Sequence, residues 1–197
     1  MRRFLLTSAV LAVVALVLPV TGADDKKDEK KVEAKNLLVN GSFEEGPDPG
    51  PFVPLDEKDE QIKGWAVIKG QIDYVGSYWQ AAEGKRSLDL HGSPGLGGVK
   101  QEFETKKGAK YKVTLSIAIN PDGEGKKKKV TVAAAGKSET FTAEPKDATK
   151  EDMKWEKKTW EFTATDTKTT LEIYTAETTE EACGPALDDV SVVEVVK

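Results

Sequence analysis

Apolar residues recur at every second position along most of this chain and seldom at helical spacing. The clearest run is Tyr111, Val113, Leu115, Ile117 and Ile119, with Lys112, Thr114, Ser116 and Ala118 between them. A period of two marks a strand with one buried face. The same pattern predicts strands at 37–43, 65–68, 71–75, 86–90, 99–105, 129–135, 138–143, 157–163, 170–176 and 184–196. Lys69-Gly70 and Gly136-Lys137 read as tight hairpins. Residues 45–64, with Pro47, Pro49, Pro51 and Pro54, read as a long loop, and 91–98 as a glycine-rich one. Residues 146–154 read as a polar connection with room for one helical turn. Some ten short strands without a long helix predict an all-β sandwich.

The last strand carries an anomaly. Val190, Val192 and Val196 share a parity with Glu194 and Asp188. One carboxylate of the Asp188-Asp189 pair is therefore expected on the core side, where a charge is costly unless paired, hydrogen-bonded or metal-bound.

Residues 1–23 fall outside this pattern. Met1-Arg2-Arg3 precedes an apolar run from Phe4 to Val20, followed by Thr21-Gly22-Ala23. This predicts a signal peptide cut near Gly22 or Ala23. An uncleaved anchor is the other reading of the run, which is at the short end for a membrane span. The expected setting is therefore exported: periplasm, cell surface or extracellular space, with no membrane span after cleavage. Residues 24–35 carry five acids and five lysines and read as a charged tether, which leaves 36–197 as one domain. The net charge of −5 becomes −7 without residues 1–23, and no basic face suggests nucleic acid. The single Cys183 allows no internal disulfide and reads as a small buried thiol beside a loop.

An ordered set of pieces resembles a known family. The set is Asn36-Leu37-Leu38-Val39-Asn40-Gly41-Ser42-Phe43-Glu44, Gly64-Trp65, Tyr74, the 83–90 stretch, Gln101-Glu102-Phe103 and Gly184-Pro185-Ala186-Leu187-Asp188-Asp189-Val190. It is similar to the domain-of-unknown-function 642 family and its bacterial choice-of-anchor C relatives, across nearly all of 36–196. The resemblance implies a galactose-binding-domain-like jelly roll whose first and last segments meet, secretion, and association with cell-wall or extracellular polysaccharide. This chain departs from plant members, which carry two such domains and disulfides, and from bacterial relatives that end in a sorting anchor.

Two candidate sites follow. Modules of this kind often hold a structural Ca2+ between the chain ends. Glu44, Asp188 and Asp189 could supply carboxylates for such an ion, which takes six to eight oxygens. The alternative is that these acids only accept backbone N–H groups. The second site is a glycan platform of Tyr74, Tyr78 and Trp79 beside Arg86, because sugar C–H faces stack on aromatic rings. The alternative there is Trp79 as a lid on the sandwich. Trp65, Phe103, Tyr111, Trp160 and Phe162 read as core. His91 reads as a surface-loop residue, and Lys126 to Lys129 as a solvated charged turn.

The expected function is a non-catalytic module for extracellular or cell-wall carbohydrate. The alternative is a structural or adhesion protein of the envelope whose partner is another protein. An enzyme is not expected: the only histidine is His91, and no serine lies in a nucleophile elbow.

Overall fold

The computed structural model describes residues 35–92, 95–123, 125–175 and 182–196. The predicted signal peptide and all but Lys35 of the predicted tether lie outside them. Thirteen strands follow in order: β1 Phe52–Leu55, β2 Ala66–Ile68, β3 Ile72–Val75, β4 Ser87–Asp89, β5 His91–Gly92, β6 Gly95–Leu96, β7 Gly98–Glu104, β8 Lys110–Ile119, β9 Lys128–Ala134, β10 Lys137–Ala143, β11 Glu156–Thr163, β12 Lys168–Tyr174 and β13 Pro185–Glu194. A six-stranded sheet runs β1-β3-β4-β13-β8-β11 and a five-stranded sheet β10-β9-β12-β7-β2, with β5-β6 as a separate pair. All pairings are antiparallel. The fold is an all-β jelly-roll sandwich.

The alternating residues meet between the sheets. Ile72, Tyr74, Leu88, Val113, Leu115, Ile117, Leu187 and Val192 come from one sheet, and Val99, Phe103, Val130, Val132, Leu171 and Ile173 from the other. Burying each such side chain stabilises the fold by about 1.5–3 kcal/mol. Trp65, Phe103, Tyr111 and Phe162 lie in this core, with Trp160 half-buried against it.

Several sequence expectations change. Residues 37–43 form no regular strand. Asn40 (φ 55°) and Phe43 (φ 61°) turn the chain there, and the Asn40 side chain ties down Glu45 N–H and two carbonyls. The segment still meets the last strand, through Leu37 N–H to Val192 O (2.9 Å) and Val190 N–H to Gly41 O (2.9 Å). Asn36 adds two side-chain bonds to Val190 and Val192.

The proline-rich loop holds β1. Pro54 is tolerated because β1 is an edge strand paired only with β3.

Lys69-Gly70 is not a hairpin, because β2 pairs with β7 while β3 pairs with β1 and β4. The corner carries the chain from one sheet to the other. A Cβ on Gly70 would come within 2.3 Å of Leu96 O, so the corner requires glycine.

The 91–98 loop contains β5 and β6, and His91 is buried rather than exposed, with its N–H held by Asp89. Residues 146–154 contain no helix. Lys128 is buried, unlike its exposed neighbours Lys126, Lys127 and Lys129.

Candidate functional site

The outer face of the six-stranded sheet carries a second apolar layer. Small residues leave space there: Ser87 on β4, Ser116 and Ala118 on β8, Ala186 on β13. Trp79 fills that space with Val75, Ala118, Met153 and Ala186, and Tyr78 and Trp155 close its margin. The Trp79 ring is 6% exposed and its Nε1–H donates to Ser87 Oγ (2.7 Å). Trp155 Nε1–H donates to Gln80 O (2.9 Å), and Gln80 N–H to Lys150 O (2.8 Å), so the segment after Trp79 is fastened at two points.

Asp188 belongs to this outer face. Its neighbour Leu187 pairs with Ile117 and faces the core, whereas Asp188 pairs with Ser116. The expected parity fails because a β-bulge lies between Asp188 and Ser191, with Asp189 in the left-handed region (φ 48°). The extra residue lets Leu187 and Val190 both face inward. Asp188 is fully buried, but under the loop on the outer side. Its Oδ2 accepts the N–H groups of Ala82 (2.8 Å) and Glu83 (2.9 Å), and its Oδ1 that of Asp189 (2.6 Å). Burial pushes its carboxyl up to about 7, against the pull of these donors.

Glu44 grips the same loop from the other chain end. Its Oε1 accepts the N–H groups of Lys85 and Arg86, both at 2.8 Å. Gly84 (φ +65°) lets the carboxylate approach, since a Cβ there would sit 2.4 Å from Oε1. Asp189 turns instead to Lys157 (2.9 Å). Among the described residues no three His, Cys, Asp or Glu side chains converge as a cation site. Glu44, Asp188 and Asp189 are thus not brought together as one group, and each carboxylate has its own partners. What the structure gives two of them is the securing of residues 82–86.

The predicted platform is split by burial. Tyr74 is fully buried in the main core, and its ring offers no stacking surface. Its hydroxyl donates to Phe43 O (2.6 Å) and accepts from Arg86 Nη1 (2.8 Å), while Arg86 Nη1 also reaches Gly46 O (2.9 Å). Burial raises the Tyr74 hydroxyl above its ordinary range, with Arg86 opposing. Tyr78 is half-buried. Its hydroxyl donates to Asp122 Oδ2, and Lys150 Nζ stands 4 Å off its ring (3.9 Å) while pairing with Asp122 (2.9 Å). The Tyr78 bond, followed by Lys150, holds the Asp122 carboxyl below its usual range.

Sequence reasoning missed Phe52. It sits on the edge strand β1, 46% exposed, edge-on to Tyr78 (5.2 Å between ring centres), and Tyr78 is edge-on to Trp79 (5.8 Å). The three rings form a ridge beside two hollows: all three line the smaller, and Trp79 lines the larger as well. One, about 640 Å3, is lined by Asp48, Ser77, Trp79, Gln80, Lys85 and Arg86 among others. The other, about 260 Å3, is lined by Phe52, Asp73, Tyr78, Asp89, Asn120 and Asp122, with Cys183 also at its wall. Asp89 is buried beneath it and accepts from His91 N–H (3.0 Å), Gly184 N–H (2.9 Å) and Asn120 Nδ2 (2.8 Å). Burial pushes its carboxyl up to about 7. The missed signal was the Pro51-Phe52-Val53-Pro54 stretch, where an apolar residue between prolines marks an edge strand with an outward ring.

The fold has solved counterparts. The TmCBM61 module in complex with β-1,4-galactotriose is 18% identical and aligns with a TM-score of 0.50, covering 82% of this chain and 100% of that one. The arabinose-bound MgGH51 α-L-arabinofuranosidase is 15% identical with a TM-score of 0.50, over 81% of this chain and 26% of the enzyme. In sequence, the chain is 32% identical over 189 residues to halomucin of Haloquadratum walsbyi. That match covers 92% of this chain but spans only 2% of halomucin's length. Residues 36–193 match the family described as protein of unknown function DUF642, and the chain belongs to that family.

Proposed function

We propose that this protein is an exported, non-catalytic module that binds carbohydrate at the Phe52–Tyr78–Trp79 ridge. The observation that carries this reading is the exposed Phe52 ring at the end of a contiguous aromatic series, beside hollows that mix apolar surface with polar side chains. Aromatic faces take the C–H surface of a sugar, and the flanking polar groups take its hydroxyls. Trp79 acts as the buried foundation of the ridge, and Phe52 and Tyr78 as its contact surface.

Three further points support the reading. The jelly roll is shared with a module solved with a galactotriose bound. The likeness to a stretch of halomucin and the apolar segment at 4–20 are consistent with export to the surface or beyond. Asp89, the most deeply buried acid of the cleft, has its oxygens committed to three N–H donors from separate elements, which is the work of a structural carboxylate rather than of a proton donor.

The test is a panel of immobilised oligo- and polysaccharides probed with the wild-type chain and with Phe52→Ala. Retention of one or more glycans, weakened about tenfold or more by the substitution, is expected. Unchanged retention by Phe52→Ala would remove the ridge as the site. Specific capture of a protein with no glycan retained would favour the adhesion reading.

A further inference from the structure

The smaller hollow contains a carboxylate that accepts no hydrogen bond among the described residues. Asp73 lies on the outer side of β3, in register with Asp89 on β4 and Pro54 on β1, two positions before Val75, which is in register with Phe52. It is half-buried and lines the cleft wall. Every other carboxylate of the lining has an engaged oxygen. Asp89 holds three N–H groups, and Asp122 Oδ2 holds Tyr78 and Lys150. Asn120 is committed on both sides, donating to Asp89 and accepting from Asp122 N–H. Asp73 accepts no hydrogen bond from the described residues; His91 favours its ionised form, and Asp89 beside it is a like charge. Burial accordingly raises its carboxyl above the ordinary range.

Resting on the glycan reading above, we propose that Asp73 is the specificity-determining residue of the cleft: it accepts hydroxyls of a neutral sugar unit and excludes a uronate. An ionised carboxylate offers acceptors only, on two oxygens that match a pair of neighbouring hydroxyl donors. A sugar unit stacked on Phe52 and Tyr78 supplies such donors. A unit carrying its own carboxylate would bring a like charge against Asp73. Among the described residues the lining of this cleft includes no Lys or Arg; Lys150 stands at the Tyr78 ring and is paired with Asp122. The larger hollow differs, with Lys85 and Arg86 in its wall.

Calorimetric titration of the full-length chain tests this, using neutral trisaccharides of hexose and pentose units, β-1,4-galactotriose included, and trisaccharides of uronic acid. The neutral ligand should bind about tenfold or more tightly than its uronate counterpart, the scale of one charge-assisted hydrogen bond. Asp73→Asn, which keeps shape and one acceptor, should bring the two within about threefold of each other, and Asp73→Ser should weaken the neutral ligand about tenfold. Melting of each variant confirms that it is folded. Equal binding of neutral and acidic ligands by the wild type overturns the inference, as does a ratio unchanged by Asp73→Asn. Both outcomes leave the glycan reading standing. Failure of every trisaccharide, neutral or acidic, overturns that reading and this inference with it.

Discussion

The two sheets bury similar inner faces but treat their outer faces in opposite ways. On the five-stranded sheet the outward positions of β7 and β12 are Lys100, Glu102, Glu104, Lys168, Thr170 and Glu172. Lys168 pairs with Glu102 (3.0 Å) and Glu104 (3.8 Å), and Thr131 and Thr140 bond across β9 and β10 (3.0 Å). These groups are solvated. On the six-stranded sheet the equivalent positions are Asp73, Val75, Ser87, Asp89, Ser116, Ala118, Ala186 and Asp188. Short side chains there admit Trp79 and Met153 as a second layer, and Asp89 and Asp188 tie loops to the sheet. The in-beat residues of a strand specify the core, whereas the off-beat residues decide whether anything covers the other face. Among the described residues the aromatic ridge lies on the covered face, and that is where function is proposed.

The largest effect expected from this contrast is at Trp79. Trp79→Ala should cost about 3–5 kcal/mol of stability, through loss of the indole and the cavity it leaves, as read by urea unfolding. A loss below about 1 kcal/mol would mean the second layer adds little to the fold.

Asp188→Ala comes next. It strands the N–H groups of Ala82, Glu83 and Asp189, at a cost of about 1–3 kcal/mol. Its conservative partner Asp188→Asn tests the electrostatics. The folded carboxyls of Asp188 and Asp89 sit near 7, above the unfolded value of about 3.9, so the native state binds more protons between those limits. Their contribution is full below about pH 4 and is lost as pH rises through about 7. Melting temperature followed across that range should therefore decline less steeply in Asp188→Asn than in the wild type. Parallel profiles would contradict the raised carboxyl.

Glu44→Ala frees only Lys85 and Arg86 N–H, groups nearer solvent, and should cost about 1 kcal/mol. The smallest effect belongs to the other face. Lys168→Ala removes exposed ion pairs and should change stability by no more than about 0.5 kcal/mol.

The main core was legible in the sequence because β7, β8, β9 and β12 alternate without interruption. The meeting of the chain ends was legible only through resemblance, since residues 37–43 read as a strand and are held by Asn36 and Asn40 side chains instead. Alternation could not reveal the bulge at Asp188, which shifts the parity by one and moves the acid to the opposite face. Nor could it reveal that β2 and β3 part company at Gly70, because a tight turn and a sheet-to-sheet corner use the same residues. Of the glycan candidates, Tyr78 and Trp79 do lie together with Arg86 nearby, yet Tyr74 faces the core because it alternates with Asp73 on β3. Phe52 escaped notice because prolines on either side masked a four-residue strand.

The central claim is that one outer face binds carbohydrate and the other does not. Titration of a retained neutral oligosaccharide into the wild type, Phe52→Ala and Lys168→Ala tests it most directly. The account predicts wild-type affinity for Lys168→Ala and a loss of about tenfold or more for Phe52→Ala, with both variants melting within a few degrees of the wild type. Equal affinity in Phe52→Ala, or a loss confined to Lys168→Ala, would contradict it.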